Sequence, residues 1–396
     1  MTSAAPVFTD DPYSDENLAD PYPLFARMQA AGPVVWLEQY GVYAFTGFEQ
    51  CREILTDWRT FISGAGVGPK NLHHEKAWRQ QGILEADPPI HSSMRGAMTT
   101  VIAPRNVRVL RAGFEKFAVE LVDQLLATPN VDLVQDFAEI YPIRAFGDAV
   151  GIPREGRAEN LLPLGAMNFS AFGPDNARAR DYFAKGAGTH EWAMANCARE
   201  NLTVGGIGAL LWAEADAGAI TADEATLLVR ATLSAGLDTT IIAIGNTLMS
   251  LASTPGQWEA LHANPSLTKF AADEALRYES PFQSFFRTVS SDTTFQGIEL
   301  PAGSKVLLFI GAANRDESQW GPTANEYELT RKAGGHLAFG MGIHQCVGQP
   351  ISRLEIEVVI SELARRVKTI ELGGATAYLH NTLKGWSSIP AVLTTA

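Results

Sequence analysis

The sequence predicts a mainly helical protein of the α+β class with a minor β region, and three observations carry that prediction. From about Asn106 onward, long Ala-, Leu- and Arg-rich stretches repeat their apolar residues at helical spacing. Strand signals are few: two β-branched and aromatic runs near the N-terminus, and one late run over residues 304–310. No Pro/Gly/Ser linker, charge block or repeat divides the 396 residues. One domain over 1–396 is therefore expected, with residues 1–19 as an extended N-terminal segment.

Taken in chain order, a short helix starts at Pro21 and ends at Gly32-Pro33. Residues 34–37 and 42–46 read as a hairpin, turning near Tyr40-Gly41. Thr221 and Glu224 fit a capping box, with Thr221 as N-cap and Glu224 three residues on. The helix it opens runs to about Leu251, long enough to span roughly 45 Å. A strand follows the Pro301-Ala302-Gly303 turn, and a last helix begins near Gln349.

Bulk properties exclude several roles. The 46% apolar and 19% charged content is that of a globular protein with a sizeable core. A net charge of −13 with no basic stripe argues against nucleic acid as a partner. Cys51, Cys197 and Cys346 are far apart and lack CxxC spacing, which fits neither a zinc site nor a disulfide framework. The N-terminus has no basic and apolar leader, and no run of eighteen apolar residues occurs. A cytoplasmic enzyme with no membrane anchor is expected.

The chemistry concentrates around Cys346, in the run Phe339-Gly340-Met341-Gly342-Ile343-His344-Gln345-Cys346-Val347-Gly348. A lone cysteine is most often a small buried apolar residue. Glycines on both sides argue otherwise, because they permit a backbone that lies flat against a planar group. A helix start just beyond the sulfur favours a thiolate, and a thiolate suits a soft metal. Nucleophilic catalysis with His344 is the third reading, and no orienting group stands nearby. A second unusual place is Ala235-Gly236-Leu237-Asp238-Thr239-Thr240. An acid and two threonines there interrupt a long apolar helix, where such residues compete for backbone hydrogen bonds.

These motifs together resemble the cytochrome P450 superfamily, over nearly the whole chain from about Asp20. The resemblance implies haem b, its iron ligated by the Cys346 thiolate, with Phe339 and Gly348 framing the loop. It implies that Asp238 and Thr239 are catalytic, relaying protons over the haem face. His91, Arg95, Arg287 and His336 match positions that contact the haem propionates, and His344 is a further contact. Glu274, Arg277 and Arg331 match a buried structural ion-pair network, with Tyr327 where the family usually has Phe. Electrons would come from a ferredoxin or flavodoxin with an NAD(P)H-dependent reductase, since the chain carries no flavin or iron–sulfur motif.

For substrate, Phe169, Phe172, Phe282 and Phe285 fall in segments that border the family's haem pocket, together with Ala235. They describe a small, flat, apolar pocket for a single aromatic ring, with dioxygen as co-substrate. The chain resembles most the bacterial branch that demethylates para-methoxybenzoate. In that branch an arginine in the loop matching residues 62–68 holds the carboxylate; here Ala65 takes that place, and no cation precedes Lys70. Ala231 also replaces an assisting serine, although Arg230 is kept. An unpaired buried carboxylate is costly. The expectation is therefore O-demethylation of a neutral methoxylated phenol such as a 4-alkylguaiacol, with para-substituted benzoates as the alternative. A peroxygenase and a non-catalytic haem sensor or carrier are the rival functions.

Overall fold

The N-terminal hairpin forms where the β-branched runs place it, and distant segments extend it into a sheet. The computed structural model describes residues 5–128 and 130–395. Its main sheet contains β1 (Val7–Phe8), β2 (Val34–Leu37), β3 (Val42–Phe45), β4 (Phe61–Ile62), β5 (Ser284–Val289) and β6 (Lys305–Phe309). Their spatial order is β1-β2-β3-β6-β5-β4. Gly41, in the left-handed region at φ +58°, makes the turn between β2 and β3. Arg287 on β5 pairs opposite Val306 on β6. The N-terminal segment is more ordered than its expected extended form. Val7–Phe8 adds in parallel to β2, and Asp15–Ala19 is a helix capped by Ser14. Residues 1–4 lie outside the described residues.

The helices that shape the site are α1 (Ile90–Val101), α2 (Pro104–Leu126), α3 (Arg157–Ser170), α4 (Ala222–Gly236), α5 (Asp238–Ser253), α6 (Thr268–Glu279) and α7 (Gln349–Arg366). Their apolar stripes meet in one large core, with Phe114, Leu228, Leu248, Ile356 and Val359 among its fully enclosed members. Burying each such side chain contributes about 1.5–3 kcal/mol. α7 packs on α2 and α6, which seats the segment after Cys346 on the core.

The capping box holds as read: Glu224 N donates to Thr221 Oγ1 and Thr221 N donates to the Glu224 carboxylate. The single long helix does not. It divides at Leu237 into α4 and α5. Thr239 Oγ1 donates to the Ala235 carbonyl at 2.7 Å, taking an acceptor the helix ladder would use. Gly236 fits flush against Phe146, since a Cβ there would fall 2.4 Å from the ring. Local hydrogen-bond competition and a weak helix former together open the elbow. The Ala222–Ser253 stretch is apolar enough to cross a membrane by composition, yet 72% of its most apolar window is buried inside the protein.

Candidate active site

The Cys346 loop is fixed by its glycines and backbone, and by Arg95 Nη1, which donates to the Gln345 carbonyl at 2.5 Å. Gly340 and Gly342 adopt φ values of +65° and +72°, and a Cβ on Gly342 would meet the Leu55 carbonyl at 2.5 Å. Cys346 N donates to Phe339 O at 2.8 Å, closing the loop. The sulfur faces an internal cavity, so Cys346 is open to that space while Cys51 and Cys197 are enclosed. The surrounding protein still desolvates the thiol and pushes its pKa up. The N–H groups of Gly348 and Gln349 and the cations of Arg95 and Arg353 act in the opposite sense. His344 does not orient the sulfur for nucleophilic attack. Its ring packs on His91 at 4.3 Å and its Nε2 lies 3.9 Å from Asp87.

Basic side chains gather around the sulfur. His91, Arg95, Arg287 and His344 all line the cavity. Arg287 is 4% exposed, and its guanidinium makes one hydrogen bond, to the Phe286 carbonyl at 2.9 Å. Burial lowers its pKa to about 10. Nε2 of His91 and Nε2 of His344 are buried with no hydrogen-bond partner among the described residues. Burial also lowers His91 to about 4. Buried guanidinium and imidazole N–H groups without acceptors are costly unless a ligand supplies them. A sulfur on one wall and carboxylate-seeking groups on another fit a flat metal macrocycle bearing two carboxylates.

His336 is the member of that set that does not line the cavity. It is buried off the cavity wall, with Nδ1 accepting from Ala338 N at 3.2 Å and Nε2 3.8 Å from Asp273. Its ring packs at 5.5 Å on Phe339, and Phe339 takes the lining position instead.

Above the sulfur, Ala235 and Thr239 line the cavity at the α4–α5 elbow. Asp238 does not; it turns toward α3, where a Cβ on Gly165 would fall 2.1 Å from its carboxylate. Burial, with Glu139 nearby, raises its pKa well above the usual carboxylate range, and Oδ1 has no partner. Phe169, Phe172, Phe282 and Phe285 complete the wall as expected. Phe282 stacks on Phe285 at 3.9 Å and meets Phe169 edge-on at 5.5 Å.

Glu274, Arg277 and Arg331 come together as the sequence predicts. Arg277 pairs with Glu274 through Nε and Nη2, each at 2.7 Å, and Arg331 Nε reaches Glu274 at 2.9 Å. The remaining Arg277 donors go to the carbonyls of Asn314, Ala324 and Glu326. Asn314 in turn accepts from Leu337 N at 2.7 Å, which links the network to the Cys346 loop.

Residues 196–370 match the family model "Cytochrome P450". The sequence is 44% identical over 389 residues to cytochrome p450 CYP199A2 of Rhodopseudomonas palustris, covering 98% of this chain and 94% of that protein. The chain belongs to the cytochrome P450 family. It is also 29% identical to the P450 monooxygenase PikC of Streptomyces venezuelae, covering 98% of this chain and 95% of that one. Among solved structures it matches CYP109Q5 from Chondromyces apiculatus with a TM-score of 0.85 at 27% identity, covering 98% of this chain and 99% of that one. This P450 is thus a haem-thiolate monooxygenase, with cysteine-ligated haem iron as its cofactor.

The charge of this P450's cavity differs from the sequence expectation. Ala65 is fully buried and does not line the cavity; its carbonyl and that of Gly66 accept from Lys305 Nζ at 3.0 and 2.9 Å. Arg79 and Arg230 line the cavity instead. Arg79 is paired with Glu85 at 2.7 Å. Arg230 is 3% exposed, has no carboxylate partner among the described residues, and donates to the Gln80 carbonyl at 3.3 Å. Burial lowers its pKa to about 10. Arg79 was missed because the loop of residues 79–85 carries no periodicity that shows which way a side chain faces. An arginine beside aromatic-lined segments was the one available signal.

Proposed function

We propose that this P450 oxidises a small para-substituted aromatic carrying an anionic group, with O-demethylation of a para-methoxybenzoate as its reaction. Arg230 carries the reading: a buried guanidinium with unused donors, facing an aromatic-lined cavity, suits a carboxylate as bidentate partner. A neutral 4-alkylguaiacol would leave that charge unpaired. Arg230 precedes Thr239 by nine residues, about 13 Å along a helix axis. A single ring held by its carboxylate at Arg230 would point its para substituent toward the elbow.

In this reading Cys346 ligates the iron, while His91, Arg95, Arg287 and His344 pair with the propionates. Bound haem supplies the dioxygen chemistry that inserts one oxygen atom into a C–H bond. The Phe169, Phe172, Phe282 and Phe285 rings exclude water and hold the substrate ring flat. Thr239 Oγ1, whose proton goes to the Ala235 carbonyl, offers its lone pairs at the cavity wall and accepts a hydrogen bond there. Asp238, off the wall and with its pKa raised by burial, is a positioning residue that passes protons from solvent toward the elbow. The methoxy carbon, once hydroxylated, is a hemiacetal that falls to the phenol and formaldehyde. Dioxygen, two electrons and two protons balance this, with water as the second product. Bacterial members of the family take electrons from a ferredoxin and its reductase, and a cytoplasmic system of that kind, or a flavodoxin, is proposed here.

The test is a spin-state titration of the haem-loaded protein with para-methoxybenzoate, a 4-alkylguaiacol and a fatty acid. A high-spin shift with the benzoate is expected. A shift with the guaiacol alone would overturn the reading, and one with the fatty acid would contradict a single-ring pocket. Turnover driven by hydrogen peroxide and undiminished in Thr239→Ala would favour a peroxygenase.

A further inference from the structure

Of the residues that α3 and the turn after it put on the cavity wall, one is polar. Asn168, on α3, lines the cavity beside Phe169 and Phe172. It is 6% exposed, so its side chain is held in place by the protein around it. Its amide nitrogen is nevertheless buried without a hydrogen-bond partner among the described residues. A valine or leucine would fill such a wall without that desolvation cost, so the amide needs a partner that the chain itself does not provide. The neighbouring polar positions are already occupied. Ser170 Oγ is bound to His380 Nε2 at 3.0 Å, and the Phe169 carbonyl accepts from Thr382 Oγ1 at 3.0 Å. Gly165, one turn earlier, is pressed on Asp238. The face of α3 toward α4 and α5 is thus closely packed except at Asn168, whose amide is left for whatever enters the cavity.

We propose that Asn168 is a specificity-determining residue, reading a second, hydrogen-bonding substituent on the substrate ring. An amide donates from nitrogen and accepts at oxygen, and its two ends are interchangeable by a flip. A ring hydroxyl, which also does both, is the group that satisfies it in either orientation. The preferred substrate is then a hydroxylated para-methoxy ring. This rests on the proposed function for the anionic group but not for the hydroxyl, so the two separate experimentally.

The experiment measures dissociation constants by calorimetry on the haem-loaded protein, for two matched ligand sets. The charged set is para-methoxybenzoate with its 2-hydroxy and 3-hydroxy derivatives. The neutral set is 4-propylanisole with the same two hydroxylations. At least one hydroxylated ring should bind about five- to tenfold more tightly than its parent, the range of one recovered hydrogen bond. Asn168→Leu and Asn168→Ala should each cut that advantage to within about twofold, with the parent bound no more weakly than before. No advantage in the unaltered protein overturns the proposal, as does an advantage that survives both substitutions. Failure of every ligand to bind overturns it as well. An advantage confined to the neutral set, with the benzoates unbound, leaves Asn168 in its role and removes the carboxylate reading.

Discussion

Arg277 and Arg287 are both almost completely buried, yet they are opposite kinds of arginine. Arg277 has an ion pair with Glu274 and three backbone carbonyls besides. Arg287 has one carbonyl and no anion. Arg230 resembles Arg287, with one carbonyl and a cavity in front of it. Burial alone therefore does not separate structure from function here; the partner count does. A guanidinium whose donors are filled is finished structure, and one whose donors are empty is half of an interface.

The sharpest way to break that comparison is to remove one member of each kind. Arg277→Ala leaves Glu274 charged and enclosed, and a loss of about 3–5 kcal/mol is expected. Denaturant unfolding should show it, with holoprotein yield falling in parallel because Asn314 ties this network to the Cys346 loop. Arg287→Leu should leave the apoprotein as stable as before, or more so, and weaken haem retention instead. Equal destabilisation by the two changes would refute the distinction.

His380 extends the comparison to a group whose sequence context gave no hint of its role. Its Nε2 lies 3.0 Å from the Ala166 carbonyl, and its Nδ1 accepts from the N–H groups of Thr382 and Leu383. Burial is the main cause that lowers its pKa to about 4 from 6.5. The unfolded chain therefore takes up a proton that the folded one refuses. Stability is full above about pH 6.5 and falls as the pH drops toward 4, by about 3 kcal/mol at most. Urea midpoints from pH 7 to 4.5 should fall less in His380→Gln than in the unaltered protein.

Asp238 gives the smallest effect and the opposite sign. Its folded pKa is raised, so its stability is present at low pH and is lost as the pH rises. Asp238→Asn should raise the thermal midpoint at pH 8, by roughly 1 kcal/mol of stability, and slow turnover. A midpoint gain that is equally large at pH 4 would show that ionisation is not the cause.

Much of the fold and the metal-ligand loop was legible because both are written locally. The capping box at Thr221, the hairpin around Gly41 and the glycine frame of Cys346 depend on residues within a few positions of each other. The Glu274–Arg277 pair is likewise one helical turn. The elbow at Leu237 was not legible, because apolar periodicity does not register the Thr239 hydroxyl taking the Ala235 carbonyl. His336 and Phe339 lie three residues apart in a loop without regular spacing, so only packing decides which of them faces the cavity. The same holds for Ala65, whose sequence neighbourhood is right but whose direction is wrong. Arg79, Asn168 and Arg230 converge from segments far apart in the chain, and no single window contains them.

The most direct test of an unpaired arginine as a ligand site is a cycle on Arg230. Affinities of para-methoxybenzoate and its uncharged analogue para-methoxybenzamide would be measured in the unaltered protein and in Arg230→Leu. The substitution should weaken the benzoate about 10- to 100-fold and the benzamide about twofold or less. Equal losses for both ligands, or none for the benzoate, would contradict the ligand-site role.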